Sequence, residues 1–128
     1  MAAAMCMPGL SVSNGPDEKR MIHIALHFIV PLLTALVFYR RRWREATLIM
    51  VATMAVDLDH LLADPIYDPE RCSIGFHPLH TTPAIAVYVV FAVLPFFIRS
   101  DHARWRVLHL IGIGLLIHMA LDGLDCMT

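Results

Sequence analysis

The sequence predicts an all-α protein, an integral membrane four-helix bundle with both termini on the outer side. Hydrophobic residues make up 58% of the 128 residues and charged ones only 16%. The mean hydropathy of +0.63 is beyond what a soluble domain carries. Four apolar runs each approach the roughly 20 residues that cross a bilayer as a helix. The arginines are gathered between runs instead of being spread over polar helix faces.

The runs cover residues 21–39, 46–63, 81–98 and 105–124. Stretches 24–38 and 84–98 show almost no polar face, which a helix of a soluble bundle would need. Residues 1–20 read as a flexible leader, because they are rich in Pro, Gly, Ser and Asn and hold no apolar stretch long enough for a signal peptide. Arg40, Arg41, Arg42 and Arg44 lie between the first two runs, and Arg99, Arg104 and Arg106 surround the connection of the last two. The excess of positive charge makes these connections cytoplasmic. The opposite side carries Asp17, Glu18, Asp64, Asp68 and Glu70 against Lys19, Arg20 and Arg71. A formal net charge of −1 argues against nucleic acid as a partner.

Antiparallel threading of the four runs brings their polar residues to one level. His23 and His27 open helix one on the outer side, and Asp57, Asp59 and His60 close helix two there. His77 and His80 lead into helix three, while His118, Asp122 and Asp125 end helix four. Side chains three, four or seven positions apart share a helix face. His23 with His27, Asp57 with His60, His77 with His80, and the ladder His118, Asp122, Asp125 all meet that condition. Asp59 does not, relative to Asp57, so it is either a support for a ligand or a ligand freed by local unwinding before Pro65.

A single buried His usually satisfies one hydrogen bond and nothing more. Ten ionisable groups at one depth are a different matter, since a central Asp costs about 2.5–3.5 kcal/mol on insertion scales. A divalent metal compensates that cost. Imidazole and carboxylate without thiolate suit Zn²⁺, Fe²⁺ or Mn²⁺. The set exceeds the needs of one ion, which predicts two or three zinc ions or one ion with an extensive outer shell. His109 lies deeper and half a turn away from His118, so it should not be a ligand, and His102 falls in a solvated connection. Cys72 and Cys126 both fall on the oxidising side, where a disulfide and two free thiols are open alternatives. Pro31 should kink helix one just below the His pair. Gly112 and Gly114 should allow close helix packing.

The segments Asp57-Leu58-Asp59-His60, His77-Pro78-Leu79-His80 and His118 through Asp125 resemble the motifs of a small bacterial four-helix membrane family, over Met21 to Cys126. More distantly, the order His, Asp-x-Asp-His, His-containing loop and His-x-x-x-Asp is similar to YdjM-like inner-membrane metal-dependent hydrolases, and through them to the zinc phospholipase C and P1 nuclease group. The resemblance implies a multinuclear zinc phosphoesterase of the bacterial inner membrane, its site facing the periplasm. His27, Asp57, His60, His80, His118 and Asp122 match the metal-binding pattern. His-Pro-Leu-His stands where the YdjM-like proteins have His-Arg-x-x-x-His.

The expected activity is hydrolysis of a phosphoester such as a lipid head group, by metal-activated water. Asp57 and Asp59 are the candidate catalytic carboxylates and Arg71 a candidate phosphate clamp. Membrane lipid, a phosphoester substrate and a second copy of the chain, as a homodimer, are the candidate partners. The alternatives are a metal-binding or metal-transport protein without hydrolysis, and a bis-His haem protein using His27, His60, His80 and His118.

Overall fold

The computed structural model describes residues 15–66, 68 and 70–128, which hold helices and connections but no strand. Helix α1 spans Pro16–Phe38. Pro16 gives up only an N–H that the first turn cannot use, and Asp17 and Glu18 meet the positive end of the helix. Both features start α1 at 16 instead of 21, so residues 16–20 are helical and not leader. Residues 1–14 lie outside the described ones.

A short 3₁₀ turn, Arg40–Arg42, leads into α2, Trp43–Ala52. The expected single α-helix over 46–63 is then corrected, because Thr53–Leu62 winds as a 3₁₀-helix. At the junction the Thr53 hydroxyl donates to the Met50 carbonyl three residues back at 2.5 Å, an alternative to α-helical bonding. The tighter winding rises about 2.0 Å per residue in place of about 1.5 Å. It also changes the face repeat from 3.6 to three, and Thr53, Val56 and Asp59, every third residue, are the buried ones.

The chain turns after Ala63, which is extended at φ −86° and ψ 149°, before the cis Asp64–Pro65 bond. A second 3₁₀ turn, Pro78–His80, precedes α3, Thr82–Ile98. Pro83 sits in the first turn of α3, where it is tolerated. The last helix, α4, runs Ala103–Met127.

Helix α4 is the hub, packed against α1, α2 and α3. Its two interior glycines serve opposite neighbours. A methyl group on Gly112 would meet Ala92 Cα at 2.8 Å, and one on Gly114 would meet Met50 Cα at 2.8 Å. Bare backbone therefore lets α3 and α2 close on α4. Two small apolar cores result, Ala35, Ala46, Met50 and Leu110 in one and Val56, Tyr88, Leu115 and Met119 in the other. Cys72 and Cys126 form a disulfide that pins the 63–77 connection to the end of α4.

The apolar surface is mostly outside these cores. Segments Asp17–Phe38 and Ala103–Met127 are long and apolar enough to cross a membrane, and Thr82–Ile98 is a shorter apolar helix. Only 17% of the most apolar window of α1 is buried, although Phe28, Leu33, Val37 and Phe38 all lie along it.

Candidate metal centre

The start of α1, the 3₁₀ end of the second helix, the turn before α3 and the end of α4 meet at one end of the bundle. Asp122, one turn beyond His118 on the hub helix, sits at the middle of the cluster and is buried. Its Oδ1 lies 3.2 Å from His23 Nε2 and 3.4 Å from His27 Nε2. Its Oδ2 lies 3.1 Å from His80 Nε2 and 3.5 Å from His118 Nε2. Asp57 Oδ1 approaches the second set, at 2.9 Å from His118 Nε2 and 3.6 Å from His80 Nε2.

Three groups have ligand atoms mutually close enough to hold an ion: Asp57, His80, His118 and Asp122; His23, His27 and Asp122; and Asp59, His60 and His80. The first is a two-nitrogen, two-oxygen set, the number that a tetrahedral zinc takes. The second offers three donors, which leaves a position for water or substrate. Asp122 belongs to both and has one oxygen for each, the arrangement of a bridging carboxylate.

Tautomers follow from the neighbours, since a carbonyl or carboxylate can only accept. His27 Nδ1 donates to the His23 carbonyl at 2.9 Å. His80 Nδ1 donates to Asp59 Oδ2 at 3.1 Å. In each neutral ring the lone pair is therefore on Nε2, aimed at Asp122. His27 Nε2, His80 Nε2 and Asp122 Oδ2 are buried without a hydrogen-bond partner among the described residues. Buried polar atoms left so are costly, and a cation satisfies all of them at once.

The third group works differently. Asp59 Oδ2 also accepts the Leu79 backbone N–H at 2.9 Å, which locks the carboxylate against the turn before α3. Asp59 thus orients His80 in the manner of a carboxylate behind a metal-bound imidazole. These two bonds suit the supporting role among the alternatives left open in the sequence, and Asp59 also stands in the third group of possible ligands.

The expected ligands do not all converge. His60 turns away from Asp122; its Nδ1 donates to Asp59 Oδ1 at 3.1 Å and its Nε2 faces the Ser73 hydroxyl at 3.0 Å. His77 and Asp125 belong to none of the three groups. The His77 ring stacks on His60 with centroids 3.8 Å apart, and burial pushes its pKa below the ordinary value, which keeps it neutral. Asp125 is exposed and reaches His23 Nδ1 at 3.9 Å. Arg71 is committed to its own loop: it donates to the Pro65 carbonyl at 2.8 Å, pairs with Asp68 at 3.7 Å and lies over the Phe76 ring. Ser73 was not legible in the sequence, because no spacing rule links it to a residue 13 positions earlier across a loop.

An open cleft of about 850 Å³ gives access to the cluster. His23, Asp57, Asp122, His60, Ser73 and His77 are among the residues that line it. Pro31, which cannot donate to the His27 carbonyl, lies near His27 and His118.

The chain belongs to the family of unknown function DUF6122, whose model matches residues 18–128. No curated protein and no solved structure matches it.

Proposed function

We propose that this member of DUF6122 is an integral membrane metalloenzyme that binds two divalent cations, zinc foremost, and hydrolyses a phosphoester such as a lipid head group. One observation carries the reading. The two oxygens of buried Asp122 face two separate sets of imidazole Nε2 atoms, and one atom in each set, His27 Nε2 and His80 Nε2, is buried without a hydrogen-bond partner among the described residues. A single ion would leave one of the sets uncompensated.

The little-buried apolar face of α1 supports membrane insertion, since large apolar side chains such as Phe28, Leu33, Val37 and Phe38 are exposed along it. The segregation of arginines supports an orientation with both termini and the cleft on the outer, periplasmic side of a bacterial inner membrane. At that level the cleft would lie among lipid phosphates.

Bound ions would supply a nucleophile from water at neutral pH and neutralise charge on the phosphoryl oxygens. The chain's own residues do the rest. Asp122 spaces the two sets, Asp59 fixes the orientation of His80, and the three-donor set leaves an open position towards the cleft. Asp57, half-exposed in the cleft, is positioned to hold water or substrate as well as to ligate.

The test is elemental analysis of the purified full chain in detergent, paired with head-group or phosphate release from vesicles containing zinc or manganese. Two ions per chain are expected, with activity lost on Asp57→Ala. A metal-free protein, or activity indifferent to both chelation and Asp57→Ala, overturns the reading. A Soret band would replace it with the haem reading, and zinc uptake into vesicles lost on His118→Ala with transport.

A further inference from the structure

We propose that Ser73, His60 and Asp59 form a second, nucleophilic centre in the cleft, in which the Ser73 hydroxyl takes the acyl group of a lipid carboxylic ester. The inference goes beyond the metal reading and does not depend on it.

The geometry is that of a serine activated through an oriented imidazole. Asp59 Oδ1 accepts from His60 Nδ1 at 3.1 Å, and His60 Nε2 lies 3.0 Å from Ser73 Oγ. The first bond fixes the proton on Nδ1, so Nε2 has the lone pair and Ser73 donates to it. The Asp57 carbonyl at 3.2 Å shares the Nδ1 proton and reinforces that tautomer.

Each member is held in place. Asp59 is 5% exposed, and its other oxygen is taken by the Leu79 N–H and His80 Nδ1. The His77 ring, 3.8 Å away and tilted by 31°, covers one face of the His60 ring. The Ser73 carbonyl accepts from the Phe76 and His77 N–H groups. Gly75, at φ +83°, makes the tight turn that follows. The disulfide at the adjacent Cys72 ties this loop to α4. A merely solvated serine needs none of these restraints.

Position supplies the substrate class. Ser73 and His60 line the open cleft. Ile24 and Ile66 line it as well, both exposed, at 46% and 58%. Apolar surface next to a nucleophile suits an acyl chain.

In the step, Ser73 Oγ bonds to the ester carbonyl carbon while His60 Nε2 takes the hydroxyl proton. The carbon–oxygen bond of the ester breaks, and the alcohol leaves with the proton from His60. Water, giving a proton to His60, then releases the fatty acid and restores Ser73. No oxidant or further co-reactant is needed.

The test is labelling of the as-purified full chain with an alkyl fluorophosphonate, mapped by peptide mass spectrometry. Here the Ser73 oxygen would bond to phosphorus and fluoride would leave. Label on Ser73 in preference to Ser11, Ser13 and Ser100, the other serines, is expected, and His60→Gln should slow it by about 100-fold, the scale of general-base catalysis. Hydrolysis of p-nitrophenyl butyrate should fall in parallel and vanish in Ser73→Ala. Absence of label on Ser73, equal labelling of Ser100, or a rate indifferent to His60→Gln overturns the proposal. The wild-type map alone decides if a variant fails to fold. Metal content of the same preparation reports separately on the metal reading.

Discussion

At the Arg-rich end of the bundle, His109 has one nitrogen on the Ala92 carbonyl and the other on the Tyr39 hydroxyl, each at 2.6 Å. Both its polar atoms are satisfied by protein, and the ring acts as a clasp joining α1, α3 and α4. At the other end, His27 and His80 have one nitrogen fixed by protein and the second left bare towards a carboxylate. The two regions use the same side chain in different ways. The contrast lies in the second nitrogen, which protein closes in His109 and leaves open in His27 and His80.

Removing Asp122 is the sharpest way to break this contrast. Asp122→Ala should lose both ions, with affinity reduced by at least about 100-fold, read by elemental analysis after dialysis. Chelation comes next. If metal binds only the folded chain, stripping it should cost about 4 kcal/mol where free metal exceeds the dissociation constant about a thousandfold. A fall in Tm with chelator in the wild type, and none in Asp122→Ala, is the expected pattern.

Cys72→Ser should cost about 2–4 kcal/mol by releasing the loop, measured as a drop in Tm under non-reducing conditions. Asp59→Asn keeps shape but weakens the support of His80, and a loss of about 10- to 100-fold in metal affinity is expected by competition titration. The smallest effect belongs to the other end. Tyr39→Phe should cost about 1 kcal/mol of stability and leave the metal content unchanged. A change in metal content there would erase the distinction between the two ends.

Much of this arrangement was legible before folding. The four apolar runs, the end at which each bears its polar residues, and the exclusion of His109 all follow from hydropathy and helical spacing. The helix ends were less so, because Pro16 with Asp17 and Glu18 reads equally as a polar leader or as a helix start. His60 illustrates the limit better. Its spacing from Asp57 predicts a shared face, and the two do share an edge of the 3₁₀-helix, with Nδ1 3.6 Å from Asp57 Oδ1. Yet side-chain torsion sends its outer nitrogen to Ser73, and no spacing rule contains torsions.

The sequence by itself determined that His and Asp side chains gather at one end of an all-helical bundle, because hydropathy and the period of the helix act through local chain positions. Only the tertiary structure decided which of them could ligate. The lock of Asp59 on the Leu79 N–H and the central seat of Asp122 on the hub helix depend on contacts between distant segments. A lone pair has a direction, and that direction is fixed by the neighbour that takes the other nitrogen's proton.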